Sequence, residues 1–344
     1  MTVYKCPKCG RIWQYPITLC PYCIIGLDRI ESEQFKIIGS SKVSIPTIMH
    51  PHVPFSALIV EDENKNKWAF KSAEEKNIGE QMEFTPNDNE NAVAIWRVKY
   101  DFADTVKKAV ELLGGLNLNE NSKILILPTL SSLSYSYMRE NTSPEFLDGV
   151  LKFLFSKNIK PENIKIGSQS FDETPIEAIA QKSGLLGACL KNKITPIDLA
   201  KKNFIKLGEF QISEEAAKAD LVLNLSILKI GAAKTTENIF RIMKKENYLS
   251  QKYLRSEKEI ADELSKILPN SVSLGEAETV QKETGYLVFL GLILASKNHL
   301  NLDRVFNAVT AAKNLPETIK EIQLGQIPII GRQIADVKFD VADN

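Results

Sequence analysis

Histidine is scarce in this chain, with three residues in 344, so a histidine-dependent mechanism has few candidates beyond His50, His52 and His299. Cysteine is scarce everywhere but one place: of five, only Cys189 lies after residue 23. That excludes a secreted disulfide scaffold, whose cysteines spread over a small domain. Charge of one sign is not in excess, at 43 Lys plus Arg against 43 Asp plus Glu. The balance holds within residues 1–100, with twelve of each sign, so neither the chain nor its first part presents a field for nucleic acid or acidic membrane. No long hydrophobic run exists. The longest, Gly285 to Ser296, is a dozen residues, too short to cross a bilayer. The start has no charged lead followed by an apolar run, so no signal peptide is expected. No G-x-G-x-x-G follows a strand pattern and no Walker A lysine loop is present, which leaves dinucleotide and P-loop readings unsupported. Repeats and low-complexity tracts are also missing. The 44% apolar and 25% charged residues then suit a globular chain of two or three domains, and free thiols suit a reducing cytoplasm.

Four cysteines are concentrated in "CPKCGRIWQYPITLCPYC", Cys6 to Cys23. Two C-x-x-C pairs ten residues apart suit a four-sulfur tetrahedral site, each pair making a tight turn with both thiolates on one side. Lys5, Lys8 and Arg11 offset part of the negative charge. Gly10 follows the first pair where the chain must turn sharply. Structural Zn2+ on Cys6, Cys9, Cys20 and Cys23 is the expectation, in a rubredoxin-like ribbon over residues 1–29. Iron is the alternative, and Ile24, where a second glycine would be expected, counts against it.

Residues 30–100 read as small and all-β. "SALIVED" and "KWAFKS" flank a turn at Glu63 to Lys65, and "GEQMEF" and "AVAIWRVKY" follow around the polar turn "PNDNEN". A five-stranded barrel of the OB type fits. The ribbon, with "HPHVPFSALIVED" and "NIGEQMEF", resembles the zinc-ribbon/OB proteins catalogued as domain of unknown function 35. Those are associated with acyl-CoA condensing enzymes, so the resemblance implies a protein partner such as a thiolase. Trp68 and Trp96 could stack bases, but charge balance argues against a nucleic-acid module.

From residue 101 to 344 helix and strand patterns alternate. "ADTVKKAVELL" carries a helical stripe ended by Gly114-Gly115, "KILIL" reads as a buried strand, and Ser143-Pro144-Glu145 opens a helix. "IKIG" is a further strand, Thr174-Pro175-Ile176-Glu177 a capping box, and "DLVLNLS" another buried strand. Residues 244–268 read as a solvated amphipathic helical region. The alternation predicts an α/β domain with a mostly parallel sheet. The chain is thus expected to be multidomain, a zinc ribbon and an OB-like barrel followed by the larger α/β domain.

The stretches "TSPEFLDGVLKFLFSKNI", "ADLVLNLSILKIG", "TENIFRI" and "LGLILASKNHLNLDRV" resemble the family catalogued as domain of unknown function 362. Against that pattern, Leu127-Pro128-Thr129 stands for Lys-Pro-Asn, Gln169 for an acidic residue, and Gly231 for a histidine. Lys229 fits the family's lysine and Asp303 its late aspartate.

Lys229 and Lys234 follow a buried strand, where α/β sheets bind ligands, and with Asn238 they could hold a small anionic ligand. Glu276 and Glu278 could form an acid–base pair, but read more simply as solvated loop carboxylates. Asp303 reads as a first-turn residue behind an Asn301 cap, His50, His52 and His299 as surface or strand residues, and Cys189 as a buried small hydrophobe. Two functions are in view. One is a binding or adaptor protein whose ribbon and barrel dock the partner. The other is an enzyme using Lys229 and a carboxylate among Glu276, Glu278 and Asp303.

Overall fold

The structure is a computed structural model describing the chain except residues 1, 14–16, 32–33, 46–54, 64, 73–75, 84–89, 100, 269, 283 and 340–344. His50 and His52 lie outside the described residues. The chain forms two units, Met1–Asn87 and Asp88–Asn344. No described helix is long and apolar enough to cross a membrane.

In the first unit a three-stranded antiparallel sheet joins Thr2–Lys5 to Ile12–Trp13 and Asp28–Glu31. A four-stranded antiparallel sheet has the order Lys67–Ser72, Phe55–Asp62, Gln34–Val43, Gln81–Glu83. Its register shifts between Ile37 and Gly39, a bulge that bends the strand. Val3, Phe35, Ile37, Leu58, Val60 and Trp68 form one core cluster. Trp68 is 9% exposed, edge-on to Phe35, so it is packing material and not a stacking platform. Val93–Arg97, expected as a strand of the barrel, pairs instead within the large sheet of the second unit. That strand is buried at Val93, Ala94 and Ile95. Such two-sided burial is a property of a central sheet.

The second unit is built on an eight-stranded sheet. In chain order its strands are β1 (Val93–Arg97), β2 (Ile124–Pro128), β3 (Ile164–Ser168), β4 (Ile197–Asp198), β5 (Leu221–Lys229), β6 (Ser271–Gln281), β7 (Leu287–Ser296) and β8 (Ile329–Gly331). The spatial order is β4-β3-β2-β5-β6-β7-β1-β8. Only the pairings of β7 with β6 and β1 are antiparallel, so the mostly parallel sheet expected from the alternating pattern is present. Strand β2 is buried at every residue, because Ile124 and Ile126 pack into one cluster and Leu125 and Leu127 into another.

Helices α1 (Phe102–Leu112) and α2 (Pro144–Ser156) supply Val106, Val110, Phe146, Val150 and Leu154 to the first cluster. Helices α3 (Lys234–Ile239), α4 (Lys245–Leu254), α5 (Glu257–Ile267) and α6 (His299–Val309) serve clusters that include Leu125 and Leu127 or Val93 and Ile95. Ser143 caps α2 by accepting from Phe146 N–H, as its Ser-Pro-Glu signature predicts. The capping box expected at Thr174 is absent. Pro175 precedes the helix Ile176–Lys182 with no side-chain cap, while Thr174 N–H donates to Asp172. The region read as helical consists of two helices, because Ser256 forms a full capping box with Glu259 and starts α5. Helices α1 and α2 cross at Gly149, where an added Cβ would lie 2.4 Å from Phe102 Cβ. Gly149→Ala is therefore expected to lower the stability of this unit by about 1–3 kcal/mol, read as a drop in its unfolding midpoint.

Candidate functional site

Two places carry chemistry. The first is the cysteine cluster. The four Sγ atoms of Cys6, Cys9, Cys20 and Cys23 all lie within 4.8 Å of one another, and Cys9 Sγ is 3.8 Å from Cys20 Sγ. Tetrahedral thiolate ligation at about 2.3 Å requires sulfurs roughly 3.8 Å apart, so the donor set fits a metal ion.

The two turns are local copies of each other. Gly10 N–H donates to Cys6 C=O and Ile24 N–H to Cys20 C=O, each at the position after a C-x-x-C. Both residues are left-handed, with φ of 72° and 54°. Glycine accepts that conformation freely, whereas a β-branched residue is strained there by about 1–2 kcal/mol. Ile24 is 76% exposed, so packing returns little. Ile24→Gly is expected to tighten metal binding several-fold, measured by competition with a chromophoric chelator.

The second place follows from strand order. The chain runs β2, β3, β4 outward on one side, then returns to lay β5 on the other side of β2, so the switch point lies between β2 and β5. Crevices beyond the carboxyl ends at such a point are where open α/β sheets hold ligands. Here residues 129–143 form a loop over it. Thr129 N–H donates to Leu225 C=O and to the Thr142 hydroxyl, which itself donates to Leu225 C=O. Asn141 stitches the loop together, accepting from Ser131 and Ser132 N–H and donating to Ser132 C=O. Leu133, Tyr135, Tyr137 and Met138 stand exposed on its outer side, the two tyrosine rings stacked at 5.6 Å.

Charged pairs fasten this loop to the sheet. Arg139, left-handed at φ 55°, places Nη1 3.0 Å from Glu276 and Nη2 3.2 Å from Glu278. Glu276 also accepts from Ser143 N–H at 3.0 Å. Glu140 pairs with Lys229. Glu276 corrects the expectation of a solvated loop carboxylate. It lies within β6, wholly buried, and burial pushes its carboxyl up to about 7 despite Ser143 and Arg139. Periodicity concealed it, because a glutamate among "SVSLGEAET" reads as a strand end. Arg139 escaped notice because nothing local marks a loop arginine as the partner of a strand more than a hundred residues away.

The residues expected to bind an anion are each engaged separately. Lys229, at the end of β5, is taken by Glu140. Lys234 pairs with Glu237 one helical turn on. Asn238 is 1% exposed and donates its amide to Leu127 C=O and Asn224 Oδ1, so it braces the switch point and has no donor left for a ligand. Its own Oδ1 has no partner among the described residues. Gly231 N–H donates to Asn307. Gln169, at the end of β3, donates to Arg241 and Met243 C=O.

Asp303 is not a simple first-turn residue. Asn298 caps α6, and the buried Asp303 carboxylate accepts from Thr235 N–H, Thr236 N–H and the Thr236 hydroxyl at the start of α3. Burial pushes it up to about 7. His299 is likewise a core residue, its Nε2 3.3 Å from Ser265 Oγ, and desolvation pushes its pKa down to about 4. Cys189 is buried and its thiol is pushed up to about 12, the inert side chain its apolar neighbours indicate.

Fold and crevice define an α/β protein with a loop-covered switch point. Residues 124–308, from the first residue of β2 into α6, match the model of the family described as Domain of unknown function (DUF362). The match covers more than half of the chain, and the chain belongs to that family. No curated protein matches it.

Proposed function

We propose that this is a metal-bearing binding protein. In this reading Cys6, Cys9, Cys20 and Cys23 hold structural Zn2+ in a ribbon, the amino-terminal unit docks a protein partner such as a thiolase-type CoA-ester enzyme, and the α/β unit holds a small anionic ligand at the switch point. The ligand or partner is then recognised through the covering loop and not through a preformed open pocket.

The observation that carries this reading is the pairing at the switch point. Arg139 is shared by Glu276 and Glu278, and Lys229 is held by Glu140. The side chains of Glu278 and Glu140 are 27% and 25% exposed. A ligand carboxylate or phosphate can replace either of them without stranding a cation, which is a binding device. A closed four-sulfur site leaves no coordination position for chemistry, so the metal's part is structural. The exposed apolar side chains of the loop suit contact with a second macromolecule.

The test pairs two experiments. The full chain is used to capture proteins from native cytoplasm, and wild type and Lys229→Met are screened by thermal shift against anionic metabolites, CoA esters first. A stoichiometric thiolase-type partner and a ligand whose affinity falls ten- to a hundredfold in Lys229→Met support the reading, that range being the worth of a charge-assisted contact of about 1.5–3 kcal/mol. Equal ligand affinity in both proteins sinks the anion site. An enzyme is the second reading, favoured by Glu276 alone, since a carboxyl poised near 7 suits proton transfer. Turnover of a metabolite that Glu276→Gln abolishes would establish it.

A further inference from the structure

A cleft of about 310 Å³ lies beyond the carboxyl ends of β3 and β4, apart from the residues of the switch point. Gln169 and Ser170 line it from one side, Asp198 and Lys201 from a second, and Lys244 and Lys245 from a third. We propose that this cleft binds the phosphate group of a small phosphorylated metabolite.

Three ammonium groups, from two segments far apart in sequence, converge on one cavity. Each has a carboxylate neighbour: Lys245 with Glu173 at 3.3 Å, Lys201 with Asp198 at 3.7 Å, Lys244 with Glu246 at 4.0 Å. The side chains of Glu173 and Glu246 are 87% and 74% exposed, so those two pairs are weak and readily exchanged. Asp198 is different. Its carboxylate accepts from Ala200 N–H and stays in place.

The backbone adds to the field. Helix α4 begins at Lys245 with no side-chain cap, and its first two residues, Lys245 and Glu246, line the cleft. An uncapped helix start carries partial positive charge and free N–H groups.

Arg241 supplies an independent observation. Its Nη1 donates to Gln169 C=O at 2.6 Å, and its guanidinium lies over the Phe171 ring at 5.4 Å. It forms no ion pair with any described residue. Glu237 and Asp172 act on it only at a distance, and burial lowers its pKa. A partly buried arginine whose guanidinium has a carbonyl but no carboxylate beside it is only partly compensated. It is bonded to Gln169, one wall of a cleft lined by three lysines and by the carboxylates of Glu173, Asp198 and Glu246. A dianion in the cleft supplies the missing counter-charge. Lysines suit phosphate because each acts as a mobile point charge with three donors that can reach different phosphate oxygens. The volume, at the low end for small-molecule sites, holds a phosphate with a short carbon skeleton.

The probe is inorganic phosphate, titrated against the full chain at constant ionic strength with chloride as the replaced anion. Binding is read by calorimetry and by the unfolding midpoint of the α/β unit. Saturable binding is expected in wild type, weakened roughly ten- to a hundredfold in Lys245→Gln and in Lys244→Gln, and kept in Lys229→Met. Circular dichroism establishes that the variants fold. No saturable binding in wild type overturns the proposal. So does loss in Lys229→Met with retention in Lys245→Gln, which assigns the anion to the switch point and leaves the reading of that site standing.

Discussion

Replacing Cys20 by serine is expected to remove the metal from the chain and unfold the amino-terminal unit while the α/β unit keeps its transition. Cys20 is fully buried and its Sγ stands among the other three. Among the described residues the first unit has one core cluster of six buried side chains, and so small a module is expected to depend on its ion. Structural zinc in small modules contributes about 10–16 kcal/mol of apparent binding free energy, comparable to the whole stability of a small domain. Strong chelator should therefore act as the substitution does. The measurement is elemental analysis with thermal unfolding of the intact chain: about one equivalent of zinc in wild type, under a tenth in Cys20→Ser, and loss of the amino-terminal transition alone. One equivalent of iron would identify the ion as iron. Full metal content in Cys20→Ser would exclude the four-sulfur site.

Arg139→Ala is expected to destabilise the α/β unit by about 1–3 kcal/mol at pH 8 to 9, where the buried Glu276 must either stay charged without its partner or take up a proton, and by much less near pH 6. Glu276→Gln should cost far less, since a neutral amide still accepts from Ser143 N–H. The pair also sets a pH dependence. The Glu276 carboxyl is raised from 4.5 to about 7 in the folded state. Between those values the folded protein binds more protons than the unfolded chain, so stability is greatest below about 4.5 and falls as pH rises towards 7. At 1.4 kcal/mol per pKa unit the loss is on the order of 3 kcal/mol. Asp303, raised in the same direction, adds to it in both proteins. Glu276→Gln should therefore gain on wild type as pH rises from 5 to 8, read as the difference in their unfolding midpoints. A difference that stays constant across that range would show that Glu276 does not titrate there.

The sequence by itself determined what depends on near neighbours in the chain. Two C-x-x-C turns specify a four-sulfur cluster because each pair of thiolates is oriented within four residues. Alternating strands and helices specify an α/β sheet because burial on two faces demands unbroken apolar strands such as Ile124–Pro128. Ser143-Pro144 specifies a helix start because its hydrogen bond closes within three residues. Tertiary structure alone decided the rest. Val93–Arg97 has the same composition in a barrel or a large sheet, and only its partners Leu292–Ser296 and Ile329–Gly331 choose between them. Lys229 and Asn238 looked free because a sequence does not show that Glu140 and Leu127 lie opposite them. Glu276 is a proton-poised group because the fold takes it out of water, while a loop 137 residues earlier supplies Arg139 as its partner. Charge, unlike periodicity, takes its meaning from distance, and distance exists only once the chain is folded.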